Sequence, residues 1–306
     1  MIIESPIDLD LTQLSGQTSQ PPWIRNNEFY SNAVMVDEKP VIFNIRQSGQ
    51  YLEYTYTGDI TDKRAGETLN YIFDLNFNLV DFYSYLSQFD ELKDMSRFCQ
   101  GLRLFLAPDP FECVISSICS ANNSIKRWTK SVLDIKKNWG DSAGDYYMFP
   151  QSNDLANVYL DEEDEFNSSD IQDIELCKNN LKNCGVGYRA PYMRKASELF
   201  SQELDISQIY KMSYDEAFET VLEVPGVGPK VADCILLYGF NFREAFPSDV
   251  WIKRIISYLY FDGKDISVPK IREFGMDEFG QNAGYVQLYL FHYARKSGLM
   301  EKIKKL

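Results

Sequence analysis

The stretch from Phe218 to Tyr238 limits the possible folds of this chain more than any other. An apolar-periodic run closes at Val224-Pro225, glycines follow at Gly226 and Gly228, and Pro229 opens a second periodic run. A residue before proline is pushed out of the helical region, so Val224-Pro225 ends one helix. Pro229 suits the first turn of the next, where a missing N–H is not needed. Glycine permits a tight path between the two. The segment therefore reads as helix, hairpin, helix. With no side chains at Gly226 and Gly228, backbone N–H groups at the second helix's N-terminus stay open to an anion, and DNA phosphate is the obvious one. A plain helical turn is the alternative, since Gly-x-Gly alone says little. Leu222-Glu223-Val224-Pro225 before it and Lys230-Val231-Ala232-Asp233 after it favour the phosphate hairpin.

Lys230 falls in the first turn of that second helix. The helix dipole disfavours a cation there, which predicts a lowered amine pKa and a share of neutral nucleophile, more so if the amine is desolvated. A solvated lysine or a phosphate contact is the plainer alternative. Nineteen residues on, Phe246-Pro247-Ser248-Asp249-Val250-Trp251 leads into another apolar-periodic helix with Asp249 at its N-cap position. Capping is compatible with chemistry: a carboxylate held by backbone N–H groups also stabilises positive charge developing on a sugar ring. A non-catalytic module that merely holds phosphate would leave both residues without a use.

The rest of the chain divides in two. Val34-Met35-Val36, Val41 to Ile45 and Tyr51 to Thr57 are short β-branched or aromatic runs. Asp37-Glu38-Lys39-Pro40 and Gln47-Ser48-Gly49-Gln50 break them, as in an antiparallel sheet with turns. From about Asn78 apolar residues recur at spacings of three and four, as in Leu79, Tyr83, Leu86 and Phe89. Asp109-Pro110 opens a helix through Ile115 and Ile118, Gly140 stops the following one, and Gly185-Val186-Gly187 connects to another beginning near Pro191. The prediction is an α+β chain: an antiparallel β domain over 1–100, then a mainly helical domain over 101–306 with the hairpin motif at about 218–239. Asp141 to Asp170 is acidic and turn-rich and reads as a surface loop with little structure.

The net charge of −14 opposes nucleic-acid binding, which normally leaves a basic footprint. Its distribution weakens that objection. Between Asp141 and Cys177 stand eleven acidic and no basic residues, including the run Asp161 to Glu165, so the remainder of the chain sums to −3. Basic residues gather elsewhere: Lys126, Arg127, Lys130, Lys136 and Lys137, then Arg189, Arg194 and Lys195, then Lys253 and Arg254. Solvated helix faces are the bland alternative. With 44% apolar and 25% charged residues the makeup is globular, and no apolar run nears the roughly 18 residues that span a bilayer. The first residues lack the basic region and apolar core of a signal peptide, which predicts a cytoplasmic protein without membrane contact. Six scattered cysteines, Cys99, Cys113, Cys119, Cys177, Cys184 and Cys234, form no Cys-x-x-Cys pair and predict free, buried thiols. With one histidine, His292, and no cysteine after Cys234, neither a zinc site nor an iron–sulfur cluster is expected, and no cofactor.

Val224 to Asp233, followed by Pro247-Ser248-Asp249-Val250, resembles the helix–hairpin–helix glycosylase superfamily. More narrowly, the chain resembles the 8-oxoguanine DNA glycosylase/lyase family, through Asp109 to Cys113, Ile118 to Arg127, Gly185 to Ala190 and Ala283 to Phe291. The resemblance implies a TBP-like antiparallel β domain joined to a helical domain, with a lesion pocket at the junction. It implies a monomeric base excision repair enzyme, a DNA N-glycosylase and AP lyase removing 8-oxoguanine from double-stranded DNA, preferably opposite cytosine, without a cofactor. Lys230 matches the nucleophile that forms a Schiff base before β-elimination, and Asp249 the catalytic aspartate. Cys234, Gln287 and Phe291 match the base pocket, and Gly16 the glycine whose carbonyl senses the N7 hydrogen of the lesion. Asn122 matches the residue that fills the gap left by the flipped base, Arg127 and Arg189 those reading the orphaned cytosine, and Tyr188 the wedge beside it. Gly226 and Gly228 match the phosphate hairpin. Two stretches depart from the pattern. Thr18-Ser19-Gln20-Pro21-Pro22-Trp23 stands where the family has an aromatic, an arginine and a tryptophan, and Trp251, at a DNA-facing position, replaces a frequent histidine. A related glycosylase for alkylated bases or mismatched adenine is the nearest rival; Lys230 opposes a purely water-using enzyme, and Gln287 with Phe291 favours oxidised guanine.

Overall fold

A computed structural model describes residues 1–160 and 179–303. The run Asp161 to Glu165 and Cys177 lie outside the described residues. Five strands make one antiparallel sheet in the order β1 (Ile2–Glu4), β5 (Tyr51–Thr57), β4 (Lys39–Ser48), β3 (Phe29–Val36), β2 (Ile24–Asn26). Asp37 and Glu38 join β3 to β4 with φ of 50° and 62°, the left-handed pair that a two-residue hairpin needs to follow the strand twist. Arg64 secures this turn, donating to both Asp37 carboxylate oxygens at 2.9 and 2.8 Å. Alternation on β4 buries Val41, Phe43 and Ile45 on one face. Helix α2 (Asp62–Ile72), capped by Thr61, covers that face with Ala65, Leu69 and Ile72. This helix lies inside the stretch expected to be sheet and turns. Its apolar residues recur at helical spacing, and they close a core that the sheet alone would leave wet.

The helices that follow begin and end as their caps direct. Asn78 caps α3 (Leu79–Leu86), Asp109 caps α5 (Pro110–Ser120), and Gly140 ends α6 (Ile125–Trp139). Between α3 and α5 lies the single turn α4 (Met95–Phe98). The acidic segment is more ordered than expected as far as it is described. It carries a small hairpin of β6 (Ser142–Ala143) and β7 (Tyr146–Tyr147), then α7 (Ser152–Ala156). Beyond it come α8 (Ala190–Gln202), α9 (Tyr214–Leu222), α10 (Pro229–Phe240), α11 (Val250–Tyr260), α12 (Val268–Phe279) and α13 (Ala283–Lys296). Every residue of α10 from Val231 to Phe240 is buried, so this helix is the axis of the second core. That core draws in Leu79, Phe82 and Leu86 from α3, while the sheet core draws in Phe105.

Leu102 to Ala107 threads between the two cores and is buried throughout. Buried backbone polar groups must find partners, and here both units supply them. Gln17 gives its Nε2 to the Arg103 carbonyl (2.9 Å) and takes the Phe105 N–H on its Oε1 (2.8 Å). Gln20 Nε2 reaches the Leu106 carbonyl at 3.0 Å, and the Ala107 N–H bonds the Tyr238 carbonyl of α10 at 2.8 Å. The loop of residues 15–20, which follows α1 (Leu9–Leu14), is thus pinned against the helical unit, beside the start of α10.

Candidate active site

Of the two hairpin glycines only Gly226 is required by its own conformation. Its φ is +85°, and a Cβ there would lie 2.6 Å from the Tyr192 Cβ. Gly228 is extended, with nothing within 4 Å of its missing side chain. It serves as the N-cap of α10 without any side-chain cap, so the first turn of α10 presents bare backbone to the outside.

Lys230 is the second residue of α10, and Cys234 lies one turn further along the same face. Across from them Asp249 caps α11, accepting from the Trp251 and Ile252 N–H groups at 2.9 Å each. Together with Gly16, Gln287 and Phe291 these residues line a single small cavity, closed by Ser15, Gln17, Thr18, Tyr238, Pro247 and Leu288. Six residues named from the sequence, on four separate segments, thus share one space. The other six lining residues were not foreseen. Thr18 belongs to the stretch that departs from the family pattern; its hydroxyl bonds Ser117 of α5 at 2.9 Å and also reaches the Cys234 sulfur.

The expected lowering of the Lys230 amine is overturned. Burial works against the cation, but Cys234 and Asp249 facing it prevail, and the amine is held above the ordinary lysine value. Burial in turn pushes the Cys234 thiol up, against the pull of the Lys230 amine beside it. Gln287 is 7% exposed and its Oε1 has no hydrogen-bond partner among the described residues. A buried acceptor left without a partner is costly unless something else comes to donate to it. Asp233, three residues after Lys230 on α10, is fully buried. It accepts from Arg272 Nε at 2.7 Å and from the Tyr214 hydroxyl, locking α9, α10 and α12 together behind the amine.

Outside the cavity, Asn122 sits in the exposed turn between α5 and α6 with φ of +50°. Arg127 is exposed on α6, and Tyr188 is 61% exposed before α8. Arg189 is buried instead: its guanidinium donates to the Ala121 carbonyl (2.8 Å from Nε), to Val186 (3.2 Å) and to Asn122 (3.2 Å). Its place is under the Asn122 turn, with Tyr188 stacked on it at 4.4 Å. Among the basic residues, Lys136 is not surface charge but a buried partner of Glu112 at 3.5 Å. Lys126, Lys137, Lys195 and Arg254 are exposed, as is Trp251 at 41%.

Residues 1–114 match the model of the 8-oxoguanine DNA glycosylase N-terminal domain, and residues 115–280 that of the HhH-GPD superfamily of base excision DNA repair proteins. A probable N-glycosylase/DNA lyase of Methanothermobacter thermautotrophicus is 44% identical over 305 residues, 97% of this chain and 96% of that one. The chain belongs to the 8-oxoguanine DNA glycosylase family of the HhH-GPD superfamily. It is a DNA N-glycosylase with lyase activity. Two solved members share its fold. MBOgg1 in complex with a low-affinity DNA ligand superposes with a TM-score of 0.81 at 27% identity, covering 97% of this chain and 96% of that one. The Clostridium acetobutylicum 8-oxoguanine glycosylase/lyase, bound to duplex DNA with cytosine opposite 8-oxoguanine, gives 0.78 at 29% identity, covering 96% and 93%. In this glycosylase, as the family pattern implies, the cavity lies where the loop of residues 15–18 from the β unit meets α10, α11 and α13 of the helical unit.

Proposed function

We propose that the protein excises 8-oxoguanine from duplex DNA, with cytosine the preferred opposite base, and then nicks the strand through a Lys230 imine. The observation that carries this reading is the cavity itself, where an amine, a capped carboxylate, an aromatic ring and an unpartnered amide acceptor converge. A target atom inside a duplex is reached only by flipping the nucleotide out, at a cost of a few kcal/mol. Stacking on Phe291 and donation from the base to Gln287 offset part of that cost, while Asn122 fills the vacated space. Arg127 and Arg189 face the orphaned base; Arg189 first has to exchange its carbonyl bonds.

In the reaction the Lys230 nitrogen bonds to C1′ as the C1′–N9 bond breaks, its electron pair leaving with the base. The amine attacks as the free base and loses a proton as the new C–N bond forms, and the departing base is an acceptor for one. Asp249 stabilises the cationic sugar. Opening of the sugar gives an imine; loss of a C2′ proton then expels the 3′ phosphate. The bare N-terminal turn of α10 and the Gly226–Gly228 hairpin hold backbone phosphate.

The test is single-turnover strand cleavage on end-labelled duplexes bearing 8-oxoguanine, 3-methyladenine or mismatched adenine, read with and without alkali. Cleavage confined to 8-oxoguanine, part of it without alkali, is expected. Release of another base in preference would overturn the substrate assignment.

A further inference from the structure

Helix α13 carries Gln287, Phe291 and Arg295 at intervals of four, so the three lie on one stripe. The first two line the cavity, and the third stands one turn beyond. Arg295 joins the two walls of the cavity. Its Nη1 donates to the Ser15 carbonyl at 3.1 Å, and its guanidinium lies over the Phe291 ring at 5.2 Å. The Ser15 carbonyl shares a peptide plane with the Gly16 N–H, so this bond fixes the plane from which Gly16 hangs. Other holds on Ser15 come from its own segment: its hydroxyl donates to the Thr12 carbonyl at 2.7 Å and accepts from Gln17 Nε2 at 3.0 Å. Arg295 supplies the hold from the opposite side. Gly16 itself has little freedom, since a Cβ there would lie 2.3 Å from Ile125 Cδ1 and 3.6 Å from Arg295 Nη1.

We propose that Arg295 is a specificity-determining positioning residue: it sets the separation between the Gly16 backbone and the Phe291 ring, and through it the preference for oxidised over plain guanine. This rests on the substrate reading above. The two bases differ at N7, which bears a hydrogen in the lesion and a lone pair in guanine. The Gly16 carbonyl, one peptide unit beyond the plane that Arg295 holds, would accept from the first and repel the second. Discrimination of that kind depends on the carbonyl not drifting, because a displaced acceptor loses the bond and the repulsion alike.

The test uses Arg295→Met, which keeps the reach and the contact with the ring but loses donor and charge, and Arg295→Lys, which keeps the charge. Affinities for duplexes with 8-oxoguanine or guanine opposite cytosine are measured in a Lys230→Gln background. Arg295→Met should cut the preference for the lesion about tenfold, the worth of one well-placed hydrogen bond, with affinity for the undamaged duplex kept within about twofold. Arg295→Lys should restore part of it. An unchanged preference, or an equal loss on both duplexes, would overturn the proposal. Hydrogen exchange without DNA reads the same claim independently of the substrate: the peptide spanning residues 12–20 should exchange faster in Arg295→Met, and unchanged exchange would also overturn it. A parent protein with no lesion preference, but with faster exchange in the variant, would instead sink the substrate reading and keep the positioning role.

Discussion

Replacing Gly16 by alanine tests the loop that closes the cavity. The new methyl would sit 2.3 Å from Ile125 Cδ1 and 3.0 Å from its Cγ1, in a backbone with φ of +88°. A Cβ in left-handed backbone costs about 1–2 kcal/mol. Overpacking against Ile125 adds about 1–3 kcal/mol, for a total of about 2–5 kcal/mol. The loop either loses that stability or moves away from α6 and spoils the cavity. Ile125→Ala removes the colliding carbons. Combined with Gly16→Ala it should relieve the overpacking and leave the backbone strain, so the two substitutions should couple by about 1–3 kcal/mol. Urea unfolding of the four proteins gives the cycle, and single-turnover excision on the same four reads the cavity. Excision should fall about a hundredfold in Gly16→Ala and recover in part in the double variant. Additivity within about 0.5 kcal/mol would show that the loop does not press on Ile125, and the packing argument would fail.

Three further outcomes follow from the described contacts. Asp233→Asn strands Arg272, whose side chain is 21% exposed, and should cost about 2–3 kcal/mol in urea unfolding, somewhat under the usual penalty for breaking a buried pair; a loss under about 1 kcal/mol would show that this cluster does not hold α9, α10 and α12 together. His292 is 7% exposed, its Nδ1 has no partner among the described residues, and burial, then Arg295 and Lys296, lower its pKa below the ordinary 6.5. The unfolded chain therefore takes up the proton first as pH falls, so stability should drop below about pH 6.5 by at most about 1.4 kcal/mol per pH unit. Thermal melts of His292→Phe should lack that share of the slope, and parallel wild-type and variant curves would refute it. Arg127→Ala should narrow the preference for cytosine opposite the lesion by about tenfold in excision rates, and an unchanged preference would show that Arg127 does not read that base.

The strands β3 to β5 were legible because alternation and turn residues agree locally; β1 and β2, three residues each, are too short to alternate. The helix α2 was missed although Ala65, Leu69 and Ile72 repeat at helical spacing, because strand signals on its N-terminal side dominated the reading. Lys230 and Asp249 stand in compact local motifs and could be named from them. The Gly16 loop could not be placed by pattern alone. It reaches the cavity through Gln17 and Gln20, whose side chains satisfy backbone more than eighty residues away, and nothing local records such pairings. The direction of the Lys230 pKa shift runs opposite to the helix-dipole expectation for a related reason. The helix dipole is visible in sequence, whereas Cys234 and Asp249 converge on the amine only in three dimensions. Arg295 escaped notice too, although its spacing of four from Phe291 was there to be seen.

The most direct test of Lys230 as nucleophile is borohydride trapping on duplexes carrying 8-oxoguanine opposite each of the four bases, followed by mass analysis of the captured peptide. A lesion-dependent covalent band, strongest opposite cytosine, mapped to Lys230 and lost in Lys230→Gln, is the expected result; no band despite normal lesion binding, or capture at another residue, would contradict it.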